Sequence, residues 1–255
     1  MDIGKNVFKN ALAKRTRQIG LWCSLPGTTA AEIAAGGGYD WLLFDTEHSP
    51  ADPITVLPQL QVAAAYPLAS PVVRPASNDP VLIKRLLDCG AQSLLVPYVQ
   101  NAEEAALAVS YSRYPPTGIR GVSGTTRASR YGRIDGYATR AAGEICVIVQ
   151  VETREALTHI EQIASVDGVD GIFIGPADLA ASLGFPGQPG HPDVVDAVEK
   201  SLARIIAANK PAGILTPDKE FARRCLHLGA TFVAVGVDAA ILTKGIDLLR
   251  DDFTV

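Results

Sequence analysis

The sequence predicts a single (β/α)8 barrel spanning residues 1–255, and two observations about its apolar runs carry that expectation. First, eight short runs rich in Val, Ile, Leu and aromatic residues alternate with eight amphipathic stretches of helical period. Second, several runs break abruptly into charged residues, as in Trp41-Leu42-Leu43-Phe44-Asp45-Thr46-Glu47-His48 and Val147-Ile148-Val149-Gln150-Val151-Glu152. Buried parallel strands read as near-continuous apolar runs. A charge just past such a run therefore stands at the carboxyl edge of the sheet, where barrel enzymes build their chemistry. The rival, a doubly wound open sheet, needs polar ends at only one or two strands, and no G-x-G-x-x-G follows the first run.

In chain order, a short amphipathic stretch at 6–14 predicts a helix capping the barrel bottom. A strand at 19–23 and a helix at 28–35 follow, then a strand at 41–44 and a helix at 55–65 that Pro58 should shorten. The strand at 71–73 leads to a helix at 80–89, where Asp79-Pro80 places an N-cap before proline at the first helical position. A strand at 93–96 precedes a helix at 101–112 that opens Asn101-Ala102-Glu103-Glu104, a cap with an acidic first turn. Strands at 146–151 and 171–174 pair with helices at 154–164 and 194–209; strands at 212–215 and 232–235 pair with helices at 218–228 and 238–249. Two segments, 114–143 and 183–192, exceed ordinary loop length and are expected to cover the active site, with surface insertion as the plain alternative.

Hydrophobic residues are 47% and charged residues 20%, with a net charge of −4, which disfavours nucleic acid or an anionic membrane as the main partner. No apolar run approaches the roughly 20 residues of a membrane span, and residues 1–20 lack the apolar core of a secretory signal. Cys23, Cys89, Cys146 and Cys225 form no CxxC pair and read as reduced thiols of a cytoplasmic protein.

Of four histidines, three fall in expected helices or a Pro/Gly loop; His48 alone stands beside carboxylates at a strand end. Asp45 three residues back, bonded to one ring nitrogen, would fix the tautomer and raise the basicity of the other, as a general base requires. A histidine that merely caps the following turn is the alternative. Glu152 and Asp178 end consecutive strands and can share one ion; two carboxylates with water and substrate oxygen suit Mg²⁺, Mn²⁺ or Co²⁺. The alternative is a pair of loop-ordering carboxylates. Gln150 points as Glu152 does, because strand side chains alternate with period two. Arg74, after Val72-Val73, offers a bidentate fork for a carboxylate. No lysine ends a strand, so carbonyl activation here calls for metal, not an imine.

Taken together, Gly20-Leu21-Trp22, Asp45-Thr46-Glu47-His48, Pro71-Val72-Val73-Arg74-Pro75, Leu95-Val96-Pro97, Arg113-Tyr114-Pro115-Pro116-Thr117-Gly118-Ile119-Arg120-Gly121, Val149-Gln150-Val151-Glu152-Thr153 and the run from Gly168 to Leu179 resemble the metal-dependent pyruvate aldolases of the hydroxy-oxo-heptanedioate aldolase family. The resemblance covers nearly the whole chain. It implies a barrel whose last helix is exchanged between subunits of a hexamer, a trimer of dimers. It implies Glu152 and Asp178 as metal ligands, Arg74 on the pyruvate carboxylate, and Asp45 with His48 as an acid/base dyad. Gly175, Pro176, Ala177 and Gln150 fall in the matched motifs as substrate contacts, and Asp88 matches a carboxylate that reaches a neighbouring subunit's site. Thr46 stands where the family often has Gly.

The implied reaction is reversible cleavage of a 4-hydroxy-2-oxo acid to pyruvate and an aldehyde through a metal-stabilised enolate, in aromatic or sugar-acid catabolism, with oxaloacetate decarboxylation as a side activity. Trp22, Leu215 and Val237 are expected to line the aldehyde pocket. An acyl-CoA lyase of the citrate-lyase barrel type shares the two carboxylates, but no basic groove for CoA phosphates is evident in the sequence. A non-catalytic oligomeric binding protein would make the polar strand ends coincidental.

Overall fold

Apolar runs buried on both faces form the strands of the barrel: β1 (Gln18–Cys23), β2 (Trp41–Asp45), β3 (Ser70–Arg74), β4 (Ser93–Val96), β5 (Cys146–Val151), β6 (Gly171–Ile174), β7 (Ala212–Leu215) and β8 (Phe232–Val237). In the computed structural model, which describes residues 1–254, all eight are parallel and the barrel closes through β8 on β1, with Gln18 opposite Phe232. Helix α1 (Val7–Ala13) precedes β1, and α2 (Thr28–Ala35), α3 (Pro53–Ala63), α4 (Pro80–Asp88) and α5 (Ala102–Ser112) follow the first four strands. A long connection carrying α6 (Tyr137–Arg140) leads to β5. After β5 come α7 (Arg154–Thr158) and α8 (Ile160–Ala164); after β6, α9 (Pro176–Leu183) and α10 (Pro192–Ala207); then α11 (Lys219–His227) and α12 (Asp238–Asp251). No helix among the described residues is long and apolar enough to cross a membrane.

The barrel interior is filled by aromatic side chains rather than left as a pore. Phe8 of α1 is fully buried against Trp41, 5.6 Å between ring centroids, and against Phe232 edge-on at 5.8 Å. Helix α1 thus caps the bottom as expected. Gly20 and Gly213 stand where the Trp41 and Phe232 rings occupy the space a Cβ would need, so these positions tolerate no side chain. A second, larger apolar layer lies between sheet and helices, around Leu42, Phe44, Val73, Ile172 and Ile205.

Several expectations are corrected. Helix α3 starts at Pro53, capped by Asp52 in a reciprocal bond with Thr55, and runs through Pro58 without breaking. The helix expected at 154–164 splits at His159. Residues Pro176–Leu183 form an unforeseen helix, so the loop before α10 starts after α9, not directly after a strand. The 114–143 segment joins α5 to β5, which places it at the amino ends of the strands, away from the catalytic face. There it packs near α4: Arg127 donates to the Cys89 carbonyl and Arg120 to Asp88.

Helix α12 has no buried residue, and Ile241, Leu242, Ile246, Leu248 and Leu249 are each more than half exposed. An amphipathic helix normally hides its apolar face, and here that face is left open by the chain itself.

Candidate active site

Parallel pairing of β2 with β3 sets Asp45 opposite Arg74, the last residues of both strands. Their side chains form a buried bidentate pair: Arg74 Nε to Asp45 Oδ1 at 2.8 Å and Nη2 to Oδ2 at 2.6 Å. Burial alone would push the Asp45 carboxyl up, but the hydrogen bonds and charge of Arg74 more than offset it and hold the group below its ordinary 3.8. Trp22 completes this corner. Its Nε1 donates to Asp45 Oδ2 at 3.2 Å, and the Arg74 guanidinium lies 4.7 Å above its ring. Trp22 is therefore a buried support for the pair. Thr46 adds to it by donating its hydroxyl to the Arg74 carbonyl at 2.6 Å.

This arrangement revises the expected dyad. Asp45 touches the backbone amide of His48 at 3.5 Å but not its ring. The imidazole, 63% exposed, has its Nε2 4.0 Å from Glu47 Oε2. Glu47 in turn lies 2.6 Å from Arg74 Nη1. Burial pushes its carboxyl up, Arg74 and His48 draw it down, and the charges of Asp45 and Asp178 push it up further, for a net rise. Glu47 is the site residue that strand-end reasoning passed over, although it stands two residues past Asp45 and so shares its side of the chain.

Glu152, 1% exposed, follows β5. Its Oε1 accepts from the Tyr98 amide at 2.9 Å and its Oε2 from the Gln150 side chain. Burial is the main reason that its carboxyl is pushed up to about 7, and the charges of Asp178 and Glu47 add to it against those hydrogen bonds. Asp178 sits in the exposed first turn of α9, three residues past the N-cap Gly175 and not at a strand end. A Cβ at Gly175 would strike Glu152 and Gln150, so glycine is what lets α9 begin this close to the carboxylate. Pro176 and Ala177 supply the first helical positions.

Leu215 and Val237, at the carboxyl ends of β7 and β8, are partly buried against the barrel-core aromatics, a position compatible with lining the mouth. Asp88 is not brought into this site: it ends α4 and accepts from the buried Arg120 at 2.7 Å.

The residues fit a hard divalent cation. Glu152 is almost fully buried, and the charges of Asp178 and Glu47 each push its carboxyl up, so the three oxygen-donor side chains repel one another. The Gln150 Oε1 acceptor is buried beside them without a donor. Among the described residues no group of three or more His, Cys, Asp or Glu stands ready to hold a metal ion, so an ion on Glu152 and Asp178 would take its remaining ligands from water or substrate oxygen.

Comparison with known proteins identifies the family. The family model described as HpcH/HpaI aldolase/citrate lyase matches residues 18–244. A pyruvate aldolase of Rhizobium etli is 62% identical over 253 residues, 99% of each chain. A 4-hydroxy-2-oxo-heptane-1,7-dioate aldolase of Salmonella newport is 54% identical over 252 residues, 98% of this chain and 95% of the relative. The crystal structure of a family protein from Burkholderia cenocepacia J2315 superposes with a TM-score of 0.94 at 39% identity, covering 98% of this chain and 99% of that one. This chain belongs to the HpcH/HpaI aldolase/citrate lyase family.

Proposed function

We propose that this aldolase-family enzyme cleaves and forms 4-hydroxy-2-oxo acids, giving pyruvate and an aldehyde, with Mg²⁺, Mn²⁺ or Co²⁺ held by Glu152 and Asp178. The observation that carries the reading is the buried Glu152 carboxylate, pushed up to about 7 among Asp178 and Glu47, beside the Arg74–Asp45 pair. When bound, the ion supplies Lewis-acid polarisation of the substrate keto oxygen.

The protein's own groups account for the rest. Arg74 is held rigid by Asp45 and Trp22, and two of its N–H groups remain for the substrate carboxylate. In cleavage, the C4 hydroxyl proton passes to His48 Nε2 through water, the C3–C4 bond breaks, and the aldehyde carbonyl forms. The bond's electron pair stays on the pyruvyl fragment, where the Arg74 cation offsets its charge until a proton from water reaches C3 and completes pyruvate. Glu47, close to both Arg74 and His48, stabilises the imidazolium that results. Oxaloacetate decarboxylation develops the same charge without a hydroxyl proton, so it is the expected side activity.

The open face of α12 supports assembly by exchange of that helix between subunits, as a hexamer, and the four free cysteines are compatible with a cytoplasmic setting. Coupled pyruvate release from a hydroxy-oxo acid tests the activity. Chelation should abolish it, divalent ions should restore it, and borohydride should trap no substrate on the protein. Turnover of a CoA thioester without turnover of the hydroxy-oxo acid would replace the proposal with an acyl-CoA lyase.

A further inference from the structure

Tyr98, after β4, holds φ at +56° and is 58% exposed. A non-glycine residue in the left-handed region is strained and persists only where its surroundings impose it. The imposing contacts can be named. The Val99 amide donates to the Gln150 carbonyl at 3.0 Å, and the Gln100 side-chain amide donates back to the Tyr98 carbonyl at 3.2 Å. The Gln100 amide donates to Glu104 Oε2 at 2.8 Å, and its side-chain oxygen accepts from the Thr153 hydroxyl. His159 Nδ1 lies 3.0 Å from the Gln100 carbonyl. A carbonyl only accepts, so His159 carries its proton on Nδ1. The break between α7 and α8 falls at this histidine, whose φ of −106° and ψ of 11° leave the helical path.

We propose that His159 and Gln100 are positioning residues for the ion site. They clamp the 98–100 turn from outside so that the left-handed Tyr98 presents its amide to Glu152 Oε1 and fixes the carboxylate's orientation. The inference rests on the reading of Glu152 as a metal ligand. Outer groups that orient a ligand typically change metal affinity by about 10- to 100-fold.

The test is calorimetric titration of the chelated, full-length protein with Mn²⁺ in the absence of substrate. His159→Ala should weaken binding by about tenfold or more. His159→Asn, whose side-chain amide can donate where Nδ1 does, should recover most of the loss. If His159→Ala does not fold, Gln100→Ala should show the same tenfold loss. Wild-type Mn²⁺ affinity in His159→Ala, or in Gln100→Ala where it stands in, overturns the positioning role. So does an equal loss in His159→Asn. Glu152→Gln separates the two readings: unchanged Mn²⁺ affinity in that variant removes Glu152 as a ligand, whereas lost affinity there with none lost in His159→Ala removes only the clamp.

Discussion

Glu152→Gln should separate stability from function, because the site holds a carboxylate where burial disfavours its charge. In the folded chain its carboxyl is pushed from 4.5 up to about 7, with burial the largest cause. Folding therefore favours the protonated form. That contribution is intact below about pH 4.5 and is lost as pH rises through about 7, where the metal-free protein must carry the charge. At 1.36 kcal/mol per pH unit the difference is on the order of 3 kcal/mol. The glutamine side chain introduced by Glu152→Gln is isosteric and uncharged, so its own cost, one donor facing the donors of Tyr98 and Gln150, does not vary with pH. Chemical denaturation of the chelated proteins at about pH 5 and about pH 8 reads the effect. Wild type should lose up to about 3 kcal/mol relative to Glu152→Gln between those conditions, while the variant loses Mn²⁺ binding and pyruvate release. Parallel pH dependences for the two proteins would refute the claim that Glu152 is held as a disfavoured charge.

Arg74→Lys keeps the charge but loses the fork on Asp45, so pyruvate release should fall strongly and not recover at higher pH. Asp45→Asn should resemble Arg74→Lys more than a histidine variant, because Asp45 bonds the guanidinium and not the ring; steady-state kinetics of the three variants decide this. His48→Ala should lose aldol cleavage by about 10²- to 10⁴-fold while oxaloacetate decarboxylation survives much better, and equal loss of both would withdraw His48 as the proton carrier. Phe8→Ala should destabilise the fold by about 3–5 kcal/mol in urea denaturation, since it removes a fully buried ring from between Trp41 and Phe232.

The sequence by itself determined the barrel. Strands over Cys146–Val151 and Gly171–Ile174 are continuous apolar runs with sharp ends, and helix starts at Asp79 and Asn101 carry their caps locally. Such signals are periodic and short-range, so they need no knowledge of what packs where. Strand ends also exposed most of the site, since a charge that breaks a buried run must lie at the sheet edge.

Only the tertiary structure decided which of those charges meet. The pairing of Asp45 with Arg74, not with His48, follows from the register of β2 on β3, a contact between residues 29 apart. Tyr98 serves Glu152 through a backbone amide, which no side-chain identity reveals. The arginine-rich 114–143 segment has the loop-like composition of a site cover. Its place at the amino ends of the strands comes from connecting a helix to a strand, and chain direction in the closed barrel fixes that. Helix α9 is hidden in the sequence by its length of 8 residues and by its N-cap Gly175, which has no side chain to cap it. Local periodicity fixes which elements exist; register, closure and backbone direction are non-local, and they alone bring Glu152, Asp178, Glu47 and Arg74 to one end of the barrel.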